Sequence, residues 1–327
     1  MAKSLLRNTL RILAALLVLH ALDATAAPKK KRKVEPDEPE LRMHSRTVAT
    51  PAPARSTRAA AQAEARSLQQ LANGELPLKA KGAIVLDAYT GQTLYDKNAD
   101  EAQYPASTTK IMTALLVIEA GDLDKQVEVT DEDSKVGESS LNLLPGDHYT
   151  RRDMLFGLML KSANDVAHAL GRDNAGSIEA FAEKMTRRAK ELGATNTNFR
   201  NPNGLHDPQH YTSPRDLALI ARAAMQQPYF RRVVGTVHYT WKRPTGELWE
   251  LTNHNRLLGA FPGCTGVKTG YTNPSQQVLV SALLRDKREV IAVVMHDEKP
   301  ANWEDSKLLL TYGLEHKPGP SPVPQFP

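Results

Sequence analysis

Three short polar clusters interrupt the most apolar stretches of this chain, and they constrain its fold more than any other feature. They are Ser107-Thr108-Thr109-Lys110, Ser162-Ala163-Asn164 and Lys268-Thr269-Gly270. Together they hold a hydroxyl nucleophile, a lysine one helical turn away, a second hydroxyl, an amide and a second lysine. That inventory suits acyl transfer from a peptide with a free terminal carboxylate. A Ser-x-x-Lys arises by chance in most chains of this size, so the information lies in the order and setting of all three.

Pro105 blocks helix upstream of the first cluster, and Ile111 to Ile118 is apolar enough for a buried helix. Ser107 then stands at a helix mouth, where free N–H groups and the positive dipole end favour a developing oxyanion. Lys110, three residues on, returns to the same face. Serine needs a base to attack, and lysine serves as one only if burial or a like charge such as Lys268 lowers its pKa. The plain alternative is that Ser107 caps a core helix and Lys110 is solvated.

In the second cluster, Thr150-Arg151-Arg152-Asp153 has capping-box spacing and opens an apolar run from Met154 to Leu160. Lys161 to Asp165 interrupts that run before Val166 resumes it. Such a polar knot is costly to bury unless partnered. Ser162 can relay a proton to a leaving amine and Asn164 can hold a substrate amide; an ordinary interhelical turn is the alternative. In the third cluster, Val267 and the apolar runs 278–284 and 290–295 predict strands. There Lys268 offers a cation and Thr269 a hydroxyl to a carboxylate, while Gly270 admits a substrate backbone along a strand edge.

These residues give the chain a resemblance to the low-molecular-mass penicillin-binding proteins, the serine-type D-alanyl-D-alanine carboxypeptidases. It covers roughly residues 78–314 and extends to Pro105–Thr113, Gly137–Leu141 with Pro145-Gly146-Asp147, Asn201–Leu205, His210-Tyr211 and Arg215–Ala218. The resemblance implies an α/β (α+β) fold of the β-lactamase/transpeptidase type, an antiparallel sheet flanked by helices in a single catalytic domain. It implies Ser107 as the acylated nucleophile, Lys110 as its base, Ser162 as proton relay and Asn164 as substrate holder. Lys268 and Thr269 would bind the terminal carboxylate, with Gly270 beside them and N–H groups of Ser107 and Tyr271 as the oxyanion hole. The implied partners are peptidoglycan stem peptides, whose terminal D-alanine is hydrolysed, and β-lactams, which acylate Ser107. A D,D-endopeptidase acting on wall cross-links and a catalytically weak wall-peptide or β-lactam receptor are the alternatives. No cofactor or metal is implied.

Two departures from the family pattern stand out. Ala163 occupies a place where relatives often have Gly. Pro274-Ser275-Gln276-Gln277 stands where an Ala-Gly pair is usual, which bears on the wall beside Lys268 and on substrate preference. The element order fits the implied fold: an opening hairpin (82–87, 93–95), a helix-rich middle from Ser107 to Met225 with a capped helix at Ser213-Pro214, strands from Gly235 to Met295 returning beside the hairpin, and a closing helix near 303–312.

Residues 1–26 read as an export leader, with Lys3, Arg7 and Arg11, an apolar run from Ile12 to Leu22, and Ala24-Thr25-Ala26 suited to cleavage. The run is far short of the ~20 residues that span a membrane. Its removal takes three basic and one acidic residue, lowering the net charge from +5 to +3. That charge is too small and scattered for nucleic acid binding. Residues 27–77 read as a basic, Pro/Ala-rich linker with a helix across 58–71, and 315–327 as a Pro-rich tail. Pro28-Lys29-Lys30-Lys31-Arg32-Lys33-Val34 matches a nuclear import peptide; a solvated patch touching anionic membrane or wall, a nuclear signal and an engineered tag compete as readings. The leader places the enzyme in the periplasm or cell envelope. The lone Cys264 excludes an internal disulfide and reads as a small filler. His206 and His210 are four apart, but Pro208 breaks the helix that would align them for a metal. Trp249 and Trp303 read as core or groove-wall aromatics.

Overall fold

Gly82–Asp87 (β1) is buried at every position, as are most of Gln276–Arg285 (β8) and Arg288–Asp297 (β9). Successive strand side chains point to opposite faces, so a strand buried throughout must be covered on both. Ile84, Leu86, Val278, Val280, Ala282, Ile291, Val293 and Met295 join the core built by the helices. Val85 and Val290 instead face the closing helix α8 (Ala301–Glu315), where a Cβ on Gly313 would lie 2.8 Å from Val85 Cγ2. This two-sided burial explains why the sequence shows apolar runs here rather than strict alternation.

The computed structural model describes residues 74–316, and the chain divides into two units at Pro77/Leu78. Residues 78–316 carry everything below. The leader, the basic run, the helix expected across 58–71 and the tail beyond His316 lie outside the described residues. Among the described residues, no helix is long and apolar enough to cross a membrane.

The main sheet has five antiparallel strands in the order β2-β1-β9-β8-β7, with β2 at Thr93–Lys97 and β7 at Cys264–Thr272. The first hairpin and the last three strands meet through β1 and β9, with Ile84 opposite Val293. This is the expected antiparallel sheet flanked by helices. One expectation changes: the strands after Gly235 do not all return to it. His238–Lys242 (β5) and Leu248–Thr252 (β6) pair only with each other, as do Gln126–Glu128 (β3) and His148–Thr150 (β4). Tyr239 and Trp241 of β5 pack inward on Phe156 and Tyr149, which draws the ribbon to the helices instead.

Between hairpin and ribbon lie the helices. Lys110–Glu119 (α1) is buried from Lys110 to Val117, as a helix apolar all round must be. Asp131–Ser134 (α2) is short and closed by a Thr130–Asp133 capping box. Arg151–Phe156 (α3) starts at Thr150, whose hydroxyl accepts from Asp153 N. Asn164–Ala175 (α4), Ile178–Glu191 (α5), Pro214–Met225 (α6) and Pro228–Val234 (α7) complete the set. Ser213 caps α6 as its sequence predicts, accepting from Asp216 N at 3.1 Å with Pro214 at the first turn.

Candidate active site

Pro105 ends the approach to α1, and Ala106 takes a left-handed φ of 49°. That conformation costs an L-residue energy and persists only where its surroundings hold it. They do so through Gly204, where a Cβ would lie 1.8 Å from Ala106 O. A single 3-10 turn, Ala106–Thr109, then leads into α1. Ser107 makes no capping bond there, so the reading of it as a helix cap does not hold. The turn is braced from outside. Thr113 Oγ1 donates to Pro202 O at 2.6 Å, and His210 Nε2 lies 2.9 Å from Thr109 Oγ1. Burial pushes the His210 pKa down to about 4, so the ring is neutral. Its Nδ1 accepts from Arg200 N–H, which leaves Nε2 as the donor to Thr109. His210 is thus a brace, and His206 stacks edge-on against Tyr104.

Lys110 is wholly buried, and its Nζ has three partners: Ser107 Oγ at 3.1 Å, Asn164 Oδ1 at 2.7 Å and Asn203 O at 2.6 Å. Two of these are carbonyl oxygens that only accept. Ser107 Oγ–H alone can donate. Burial first, and then the charge of Lys268, hold the Lys110 pKa well below its ordinary value, against opposing pulls from Asp165 and Glu138. A neutral amine at this place donates its two N–H groups to the carbonyls and turns its lone pair to the serine hydroxyl. That is the arrangement of a nucleophile and its base.

The second cluster is reached through a change of helix. After α3, residues Gly157–Lys161 form a π-turn, and Ser162 follows with φ 64°. Widened turns of this kind recur at functional sites, and this one swings the chain so that α4 begins at Asn164. Asn164 Nδ2 donates to Gly137 O at 3.1 Å, which orients its Oδ1 toward Lys110. Ser162 is 5% exposed and lines the groove beside Ser107. Among the described residues its hydroxyl has no hydrogen bond to Ser107 or Lys110. Next to it, the buried Asp165 accepts from Ser140 Oγ and from the N–H groups of Leu141 and Leu143. This carboxylate ties down the loop that forms one groove wall.

The third cluster sits on the free edge of the sheet, because β7 pairs only with β8. Lys268 is 1% exposed, and burial lowers its pKa to about 7. Its Nζ donates to Thr269 O at 2.9 Å. Gly270 has a second reason to be glycine beside the expected one: a Cβ there would lie 3.0 Å from Ser107 N and 3.1 Å from Ala106 Cβ, so the nucleophile turn itself approaches closely. Glycine here locks the edge strand to the serine. Thr269, Gly270 and the half-exposed Tyr271 all line the groove.

That groove has a volume of about 1160 Å³. The β5–β6 ribbon supplies Trp249, and α8 supplies Trp303, so both tryptophans are wall residues. At the departure 274–277, Ser275 Oγ closes the β7–β8 turn, accepting from Thr272 N at 2.8 Å, and Gln277 lines the groove. Cys264 starts β7, and burial pushes its thiol pKa up. Three contributors carry no role in the sequence reading: the Asn203 carbonyl, Asp165 and His254. The first acts through its backbone, and the second shows only as one of four polar residues in Lys161–Asp165. His254 lines the groove with its pKa held to about 4 by burial and by Lys268, Lys161 and Lys110; a lone histidine in a loop gives no signal.

A family model described as D-alanyl-D-alanine carboxypeptidase, peptidase S11, matches residues 69–299. The chain belongs to that family. It is 36% identical to the D-alanyl-D-alanine carboxypeptidase of Streptomyces strain K15, with 72% of this chain and 88% of that protein aligned. It is 38% identical to the D-alanyl-D-alanine carboxypeptidase DacF of Bacillus subtilis, over 72% of this chain and 62% of that one. The crystal structure of the Streptomyces K15 DD-transpeptidase superposes with a TM-score of 0.69, covering 73% of this chain and 98% of that one at 36% identity. A penicillin-binding protein homologue of Mycobacterium tuberculosis gives 0.71 at 31% identity, covering 75% and 94%. The chain is an enzyme of the serine-type D-alanyl-D-alanine carboxypeptidase class, and its fold is the one the resemblance implies.

Proposed function

We propose that Ser107 attacks the carbonyl between the two terminal D-alanines of a peptidoglycan stem peptide and that the chain hydrolyses the resulting ester. The observation that carries this is the set of partners around Lys110, which leaves the Ser107 proton as its one available donor. Lys110 takes that proton as the Oγ–C bond forms. N–H groups of Ser107 and Tyr271, on segments that Gly270 holds in contact, receive the oxyanion. Lys268 and Thr269 hold the terminal carboxylate. Ser162 passes the proton to the departing amine, and water later cleaves the acyl-enzyme. A β-lactam follows the same first step, but its ring opens without a leaving group departing. Labelled penicillin should acylate the purified chain at one site, and D-alanine should be released from a D-Ala-D-Ala peptide. Labelling of S107A at the wild-type rate would refute the assignment.

Because the structural relative carries the name transpeptidase, transfer of the acyl group to an amine is a second reading. Adding an amine acceptor to the assay separates them: a transfer product growing at the expense of free acid favours transfer. In this reading residues 1–26 direct export, 27–77 tether the catalytic residues 78–314, and the basic run 29–33 meets anionic membrane or wall at about 1 kcal/mol per cation. N-terminal sequencing of protein from its native cell tests this. A terminus near Ala27 agrees with export, and an intact Met1 in a cytoplasmic or nuclear fraction contradicts it.

A further inference from the structure

The groove continues past the catalytic clusters. With the terminal carboxylate at Lys268 and the scissile carbonyl between Gly270 and Ser107, the rest of a bound peptide runs along β7 past Tyr271. Two extended residues cover about 7 Å, which carries the peptide to the end of the strand. Gln277 sits there, paired with Tyr271 on one side and Asp297 on the other. Lys299 follows Asp297 by two residues and so lies beside this end, and it lines the groove with Trp303, one helical turn further on, and Arg256. The Arg256 guanidinium lies 6.0 Å from the Trp303 ring centroid.

Neighbouring acids are engaged elsewhere. Glu304 is bound by Lys307 at 2.9 Å, and Glu298 faces Lys79 at 4.0 Å. Among the described residues lining the groove, Glu250 is the one acid, and it accepts from Thr240 on the far ribbon. Neither Arg256 nor Lys299 has an ion-pair or hydrogen-bond partner among the described residues. Two unneutralised cations, one lying by an indole, therefore face the path of the acyl side of the substrate. A planar guanidinium matches a carboxylate with two parallel hydrogen bonds.

We propose that Arg256 and Lys299 form a subsite for a carboxylate on the acyl side of the peptide. The enzyme then prefers donors in which the residue before D-Ala-D-Ala has a long side chain ending in a carboxylate over those ending in an amine. This rests on the reading of Ser107 as nucleophile, which fixes the direction of the bound chain.

The test uses three N-acylated peptides that differ only at that side-chain end: carboxylate, primary amide and amine. Release of D-alanine by the full chain should rank them in that order, with kcat/KM for the carboxylate peptide about two- to fivefold above the amine, the scale set by exposed ion pairs. High salt should compress the ranking, and R256Q/K299Q should erase it. Competition of the same peptides against labelled penicillin gives the ranking independently of turnover. Equal values in wild type, or a ranking that survives in R256Q/K299Q, overturns the subsite alone. Loss of all penicillin labelling in wild type would instead count against the nucleophile, and the subsite with it.

Discussion

Two buried lysines with opposite requirements set the chemistry of this site. Lys110 acts as a base only when neutral, and burial together with Lys268 lowers its pKa. Lys268 holds a carboxylate only when charged, yet burial lowers its own pKa to about 7. The sign of each limb follows. As pH rises through the depressed pKa of Lys110, more enzyme carries a competent base and acylation accelerates. As pH rises through about 7, Lys268 loses its proton and binding of the terminal carboxylate weakens. The expected pH profile of kcat/KM for the free enzyme is a bell whose two limbs belong to the coupled pair. A substrate analogue ending in a neutral amide should lack the descending limb, because it does not use the Lys268 charge. Lys110→Arg should lower acylation by several orders of magnitude at every pH, since a guanidinium does not deprotonate. A rate that falls steadily from pH 6 to 9 for both substrates would contradict this assignment.

At the scale of elements, legibility follows how local the cause is. The opening hairpin, the capped α6 and the closing helix depend on near neighbours in the chain, and all are visible as period, cap and breaker. The meeting of the three polar clusters was legible through the family resemblance, with one local sign beside it, the polar knot at 161–165 that an apolar run leaves needing partners. The π-turn at Gly157–Lys161 was not legible, for its apolar residues read as ordinary helix until Ser162 turns left-handed. Nor was the ribbon β5–β6, whose strands look like sheet strands and differ only in packing on Phe156 and Tyr149. That Gly270 also packs on the Ser107 turn is a long-range fact with no local mark. The role of Asn203 was hidden for another reason: a carbonyl is present in every residue, so composition does not mark it.

Across the whole molecule, one polar junction ties the start of the catalytic unit to its end. Asp305 of α8 accepts the N–H groups of Lys79 and Ala80 at 2.7 and 2.9 Å. Asp297, at the end of β9, accepts from Glu298 N through Oδ1, while its buried Oδ2 finds no donor. The neighbouring carboxylate of Asp305 offers none either, so only a proton on the pair can join them. Burial and the charge of Asp305 accordingly raise the Asp297 pKa to about 7. In the unfolded chain it returns to the usual carboxylate range near 3.9. Between those values the folded state holds a proton that the unfolded state has released, so this group's contribution to stability falls as pH rises from about 4 to 7 and is absent above. Asp297→Asn keeps a donor toward Asp305 and removes the titration. Its Tm should match wild type near pH 3.5, exceed it near pH 8, and vary less across that interval. A wild-type slope unchanged by the substitution would show that the proton sits elsewhere.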